Sequence, residues 1–360
     1  MINILDKAKC CGCGACFNIC PKNAITMEYD SEGFLYPKID NTKCTKCGLC
    51  LKVCPIINNK KENKILEVYA AKNKNIEEQL KSSSGGMFSI FANYVLEKNG
   101  IVFGASFDNN WKVVHKYINK KEDLDDLRRT KYVQSNINIT YKQAKQFLED
   151  NKLVLFTGTP CQIAGLKSYL RKDYENLIAV DLICFQAGSP LIFQKSLNDN
   201  INDIKNIKHI DFKEKTYGWD NSKMLIILKN NTFSSQIIKY REGYMAGLFS
   251  RPACHKCYFK GNRNSDFTIG DLWGINKIVP EMYDKKGVSV LTLNSQKAKQ
   301  IFELIKDDIL YRKIQFLDVI KNNPAFAISA KPHIKRNEFF ERYKTENVNK
   351  LIVTLLKNSI

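Results

Sequence analysis

Cys10-Cys11-Gly12-Cys13-Gly14-Ala15-Cys16-Phe17-Asn18-Ile19-Cys20-Pro21 is answered by Cys44-Thr45-Lys46-Cys47-Gly48-Leu49-Cys50-Leu51-Lys52-Val53-Cys54-Pro55, and this pair of runs decides how the chain begins to fold. Each run reads C-x2-C-x2-C-x3-C-P. Three closely spaced thiolates can grip one iron–sulfur cubane, while the fourth, past a turn, reaches the other. On that reading Cys10, Cys13, Cys16 and Cys54 hold one [4Fe–4S] cluster, and Cys44, Cys47, Cys50 and Cys20 hold the second. Gly12, Gly14 and Gly48 let the backbone curl tightly and aim N–H groups at the sulfurs. The proline after each fourth cysteine ends the turn and needs no N–H partner. Zinc asks for two separated cysteine pairs, which this doubled run of three plus one does not offer. Cys11 fits neither set and is expected to be a bystander.

The spacing is that of a bacterial-type dicluster ferredoxin domain, here residues 1–58, with a short extended pair at 24–29 and 34–39 broken by Asp30-Ser31-Glu32-Gly33. Residues 59–64 are polar and read as a linker. From residue 65 strands and helices alternate. Apolar runs and β-branched content place strands at 67–71, 100–107, 113–118, 152–156, 177–184, 209–212, 224–228, 266–270 and 288–293. Helical periodicity covers 87–98, 140–149, 162–171, 190–200, 295–305 and 347–357. That order predicts an α+β or α/β body over 65–295, a mixed sheet partly covered by helices, followed by a helical extension over 296–360.

With 360 residues, 44% of them hydrophobic, the chain can bury a substantial core. No apolar run approaches the roughly 18 residues of a membrane-spanning helix, and the start lacks a secretory pattern, so the expected compartment is the cytoplasm. There, thirteen cysteines read as metal ligands before they read as disulfides. The formal charge of +19 is spread along the chain without a dense basic cluster carrying interleaved aromatics, which argues against nucleic acid. Four thiolates around a cluster leave about two negative charges per site, so bound clusters offset several lysines. The remaining excess favours acidic partners, such as a ferredoxin or another redox subunit, or a polyanionic cofactor.

Four cysteines lie outside the head: Cys161, Cys184, Cys254 and Cys257. Four is the number a third cubane requires. Cys161 ends the strand-to-helix loop Thr157-Gly158-Thr159-Pro160-Cys161, Cys184 closes an apolar strand, and Cys254 and Cys257 form a C-x2-C. The ends of α/β strands are where ligands gather. A structural zinc, or a zinc-like pair plus two buried thiols, fits the spacing equally well. Ser82-Ser83-Ser84-Gly85-Gly86 leads into a helix whose free N–H groups could receive a phosphate, or it is an ordinary serine cap. Thr157-Gly158-Thr159 carries the same two readings, and no G-x-G-x-x-G or G-K-[ST] is present. Chemistry supplies a separate reason to expect a flavin, since clusters pass single electrons and most organic substrates take a pair. His115, His209, His255 and His333 read as surface or structural residues, with His255, between two candidate ligands, best placed to tune a cluster.

Taken together these segments resemble the family of coenzyme F420 hydrogenase/dehydrogenase beta subunits, in the form with an N-terminal two-cluster ferredoxin domain. The resemblance rests on Ser83-Ser84-Gly85-Gly86-Met87-Phe88, Lys131-Tyr132-Val133-Gln134-Ser135, Phe156-Thr157-Gly158-Thr159-Pro160-Cys161, Asp181-Leu182-Ile183-Cys184, Arg251-Pro252-Ala253-Cys254-His255-Lys256-Cys257 and Gly270-Asp271-Leu272-Trp273-Gly274. It implies an oxidoreductase whose body binds FAD and a third [4Fe–4S] cluster on Cys161, Cys184, Cys254 and Cys257. It also implies that Ser84, Gly85, Gly86, Lys131, Tyr132, Thr157, Gly158 and Thr159 line the flavin. The expected activity is electron passage between clusters and FAD with hydride exchange with coenzyme F420 or a related acceptor. Two rivals stand beside it: a ferredoxin-dependent reductase of a sugar or other biosynthetic intermediate, and a non-catalytic electron-transfer subunit.

Overall fold

The computed structural model describes residues 2, 6–58, 63–230 and 238–357; most of the expected linker, residues 59–62, lies outside them. In the head, β1 (Ile25–Tyr29) and β2 (Leu35–Ile39) form an antiparallel hairpin that pairs Ile25 with Ile39. Short helices Ala15–Ile19 and Leu49–Lys52 follow the second ligand cysteine of each repeat, Cys13 and Cys47. Each starts from a left-handed glycine, Gly14 at φ 74° and Gly48 at φ 76°, a conformation L side chains rarely adopt. The two repeats thus fold alike.

The body strands are β3 (Glu67–Asn73), β4 (Ile101–Phe107), β5 (Val113–Ile118), β6 (Val154–Gly158), β7 (Leu177–Leu182), β8 (Ile207–Glu214), β9 (Lys223–Leu228), β10 (Phe267–Asp271), β11 (Ser289–Leu293) and β12 (Ile309–Lys313). Eight form one mixed sheet in the order β12-β3-β11-β10-β7-β6-β4-β5. Its centre is parallel, β10 to β7 to β6 to β4, and its flanks are antiparallel. Alternate residues of the central strands face opposite sides. Val102, Leu155, Ile178 and Val180 pack beneath helices Met87–Leu96 and Gln296–Ile305, through Phe91, Val95, Ile301 and Phe302. Ile101, Phe103, Val154, Phe156 and Ala179 pack beneath helices Thr140–Glu149 and Pro160–Leu170, through Tyr141, Leu148, Ile163 and Leu166.

The head joins this second core. Cys13, Ala15 and Val53 are buried in it beside Tyr141 and Leu166. A third core forms where β8 and β9 pair as a separate ribbon and helices Pro190–Asn198, Tyr240–Ala246, Arg336–Arg342 and Val348–Lys357 close over them. Each strand and helix read from residue 67 onward is present, but two features depart from the reading. The runs at 209–212 and 224–228 leave the main sheet to pair with one another. The segment after 295, expected to be helical, contributes β12, whose Ile309–Lys313 pairs with Asn73–Tyr69 of β3. Its half-polar sequence suits an edge position, where one face and one hydrogen-bonding side meet water. Among the described residues, no helix is long and apolar enough to cross a membrane.

Candidate functional site

The head thiols gather in two places. Cys16 is pushed up by burial first, then by the thiols of Cys10 and Cys54, and Cys54 is raised by burial and again feels Cys10. Cys13 feels Cys16 and Cys10. Cys10 is thus near Cys13, Cys16 and Cys54, and Cys16 is near both Cys13 and Cys54. Cys20, Cys44, Cys47 and Cys50 line a second, small cavity backed by Ile25 and Ile39 of the hairpin. The first set faces the body, and a Cβ on Gly165 of helix Pro160–Leu170 would meet Cys13 Sγ at 3.0 Å. In the second set Cys47 is exposed.

The body contains one large cavity, about 1020 Å³, at the carboxyl ends of the parallel strands β4, β6, β7 and β10. That volume is at the upper end for small-molecule sites. Cys161, Cys184, Cys254 and Cys257 all line it. Each is placed by a sequence feature: Thr159 and Gln162 cap the helix that Pro160 and Cys161 open, and Cys184 follows β7. The Cys254 thiol accepts from the Ala187 N–H at 3.3 Å, and Cys257 N–H donates to Ser329 Oγ at 2.9 Å. Burial pushes the Cys184 thiol well up; the Lys260 ammonium pulls it down, and the thiols of Cys254, Cys161 and Cys257 raise it further. Burial pushes Cys254 up to about 12. Four half-buried thiols facing one cavity, whose thiolates would repel one another, do not ionise together unless a polycation sits among them, and an iron–sulfur core is such a group. Among the described residues, no three Cys, His, Asp or Glu side chains close on a point where a single ion would sit. The thiols instead surround space.

The candidate cofactor residues meet these thiols in the same cavity. Ser84, Gly86, Lys131, Tyr132, Thr157, Gly158 and Thr159 line it. Gly86, at φ 85°, starts helix Met87–Leu96. Gly85 stands behind the turn: its N–H donates to Ser289 Oγ at 3.0 Å, and a Cβ there would lie 2.5 Å from the Ala71 carbonyl oxygen. Lys131 is lowered to about 7, chiefly by burial; its ammonium donates to the Arg128 and Arg129 carbonyl oxygens at 2.8 and 3.2 Å. Tyr132 stacks on Tyr244 with ring centroids 4.7 Å apart. Thr157 Oγ1 donates to the Phe103 carbonyl at 2.9 Å, and Thr159 Oγ1 lies 3.1 Å from Cys161 Sγ. Arg128, Arg129, Lys213, Lys260 and Arg263 add positive charge to the lining, against Asp6 and Asp271.

The histidines take structural places. His115 is buried, lowered to about 4 by that burial; its Nε2–H donates to the Thr157 carbonyl at 3.0 Å and its Nδ1 pairs with Ser135 Oγ at 2.8 Å. His255 pairs with Ser250 Oγ at 2.8 Å. Two residues near the cysteine sets escape a reading of the sequence. Cys11, expected to be a bystander, sits between the sets, its thiol facing those of Cys13 and Cys161. Arg251, beside the C-x2-C, reaches into the head; the proline-led run Arg251-Pro252 marks a turn but gives no hint of its distant target.

Residues 9–57 match a family described as "4Fe-4S dicluster domain". Residues 151–315 match the family that describes the C terminus of coenzyme F420 hydrogenase/dehydrogenase beta subunits. By residues 151–315, a little under half of its length, the chain resembles coenzyme F420 hydrogenase/dehydrogenase beta subunits. The match over residues 9–57 makes it an iron–sulfur protein with an N-terminal 4Fe–4S dicluster domain. It is 32% identical over 168 residues, 46% of this chain, to a coenzyme F420-dependent sulfite reductase of Methanocaldococcus jannaschii, and spans 26% of that protein's length. It is 23% identical over 319 residues, 85% of each chain, to a subunit of the F420H2 dehydrogenase of Methanosarcina mazei. A chain in the F420-reducing [NiFe] hydrogenase complex of Methanosarcina barkeri superimposes with a TM-score of 0.48 at 17% identity, over 81% of this chain and 92% of that one.

Proposed function

We propose that this chain carries electrons between an acidic one-electron protein partner and FAD held in the body cavity, with hydride exchange at that site with coenzyme F420 or a related acceptor. One observation carries the reading: a single cavity of about 1020 Å³ is lined at once by Cys161, Cys184, Cys254 and Cys257, by Ser84 and Gly86, by Lys131-Tyr132 and by the Thr157–Thr159 loop. Bound clusters would supply one-electron steps and bound flavin the two-electron step.

The chain's own groups divide the work. Cys20, Cys44, Cys47 and Cys50 would hold an outer cluster, and Cys10, Cys13, Cys16 and Cys54 an inner one. Cys161, Cys184, Cys254 and Cys257 would hold the third, with Cys11 between the inner and third sets. Exposed Lys22 and Lys46 share a cavity lining with exposed Cys47, and they suit an acidic partner and speed its approach. Lys131 holds a positive charge beside the cavity below about pH 7 and surrenders the proton above it. Arg129 is tied to buried Asp211 and so stays aimed along the lining.

A second reading, a relay protein that needs other subunits for turnover, is favoured by the Methanosarcina mazei relative, which is itself named as a subunit. Anaerobic purification with iron, sulfide and flavin analysis tests the first reading; about twelve irons and one FAD per chain are expected. About eight irons would remove the third cluster. Reduced, flavin-loaded protein that transfers no hydride to a deazaflavin without added subunits would establish the relay.

A further inference from the structure

We infer that Arg251 raises the reduction potential of the inner head cluster above that of the outer one and locks the loop that carries it to the body. The inference rests on the cluster reading of the head cysteines.

Arg251 is only 1% exposed, although it carries a full charge. Its backbone belongs to the body: its N–H donates to the Ala187 carbonyl, and its own carbonyl accepts from the Cys254 N–H, each at 2.9 Å. Its side chain belongs to the head. Nε donates to the Cys10 carbonyl at 2.8 Å, one terminal nitrogen to the Gln134 amide oxygen at 2.9 Å, and the other to the Leu35 carbonyl at 3.0 Å. That last nitrogen also lies 3.7 Å from Cys10 Sγ. The guanidinium plane rests on Tyr36, 4.2 Å from its ring centroid. Gln134 closes the loop by donating to the Cys11 carbonyl at 2.9 Å. Gly12 makes room, since a Cβ at its φ of 70° would meet the guanidinium at 2.8 Å.

Every acceptor in that set is neutral or a thiol. Burial works against the charge on Arg251, and the groups that hold it up are Cys10, Tyr36, Cys11 and Cys254. A buried cation without a carboxylate is costly, unless the anion beside it is the ligand set itself. A cation fixed within hydrogen-bond reach of a ligand sulfur stabilises the electron-rich state of the cluster that sulfur binds. Among the described residues, the outer set has no such buried cation lining its cavity. The lysines there, Lys22 and Lys46, are exposed, where water and salt screen them. Two repeats of identical spacing therefore carry clusters of unequal potential, with the higher one on the side facing the body.

The test is an EPR-monitored potentiometric titration of the anaerobically purified full chain, with iron and sulfide measured on each sample. In Arg251→Gln, one wave should fall furthest, by at least a tenfold change in its reduced-to-oxidised ratio, about 59 mV for one electron, while the wave of the outer cluster stays. Arg251→Lys keeps the charge but not the planar fork, and should fall by less than half as much. Gln134→Glu, which sets a carboxylate against the guanidinium without removing it, should move the same wave in the same direction and covers the case in which Arg251→Gln loses iron. An unmoved wave in Gln134→Glu, an unmoved wave in iron-replete Arg251→Gln, an equal fall of all waves, or a Lys variant as low as the Gln variant overturns the inference. Wild-type protein without iron would end the cluster reading itself; iron-replete protein with unmoved waves ends only the role of Arg251.

Discussion

The two cysteine repeats share one spacing and one local fold, yet they live in different surroundings. Cys13 is 8% exposed, packed against Gly165 of the body, and shares a core with Tyr141 and Leu166. Cys47, its counterpart, is exposed among lysines. Ligation is a local property of the motif, whereas solvent access and nearby charge are set by what the fold lays against it. The comparison teaches that a repeated motif fixes which group binds, and the tertiary contacts fix what that group does. On the function proposed above, one repeat meets a partner and the other hands on to the interior.

Paired substitutions give the sharpest way to break this contrast. Cys13→Ser and Cys47→Ser should each cost about four irons per chain. Cys13→Ser should slow reduction of FAD bound in the body cavity by a protein donor at least a hundredfold. Cys47→Ser should slow the protein donor comparably, yet leave reduction by a small viologen near wild type, because the inner set and the cavity are intact. Stopped-flow traces with both donors decide it; equal responses to the viologen would erase the distinction between outer and inner.

The next effect concerns docking. Glu32 receives Arg336 at 2.9 Å, its backbone carbonyl accepts from Ser189 Oγ at 2.6 Å, and the neighbouring Ser31 carbonyl accepts from Tyr343 at 2.6 Å. Glu32→Ala leaves a largely buried guanidinium without its carboxylate and should cost roughly 1.5–3 kcal/mol, read as a lower urea midpoint. Limited proteolysis should then release the head sooner. A smaller effect is expected on the exposed side. Lys46→Glu should slow reduction by an acidic carrier several-fold at low salt, with the difference fading as ionic strength rises.

The smallest effect is a pH slope. Lys215 is lowered to about 7, chiefly by burial, and donates to the Gln79 and Lys286 carbonyls, each at 2.8 Å. Between about pH 7 and the ordinary lysine range the unfolded chain binds the extra proton, so stability rises with pH across that window. Below it both states are protonated, and the penalty of burying the charge is fully present. Lys215→Met should flatten this slope, visible as a smaller Tm gain between about pH 7.5 and about pH 9.5 than wild type shows.

What could be read from the chain divides along the same line as the repeats. Cysteine spacing states its ligation chemistry within a dozen residues, and the apolar runs at 152–156 and 177–184 announce buried parallel strands, because such strands lack polar alternation. The edge strand Ile309-Leu310-Tyr311-Arg312-Lys313 was hidden, since half its surface is wet and its residues could equally serve a loop. The pairing of β8 with β9 apart from the main sheet was also hidden, because a strand does not encode its partner. Attention fell on His255 because it stands between two cysteines, but its ring turns to Ser250. Arg251 carried no local mark at all. Its target, Cys10, is 241 residues away. Cys11 was set aside for the same reason: its neighbour Cys161 is adjacent only in space.

The clasp on the Asp30–Gly33 turn has a consequence for biogenesis. A segment that is synthesised early is secured by Arg336 and Tyr343, which follow it across separations of 304 and 312 residues. Contacts of such range form late, because the intervening chain must first be ordered. During synthesis this hold on the head therefore closes only after Arg336 and Tyr343 have emerged, long after the cysteine repeats themselves.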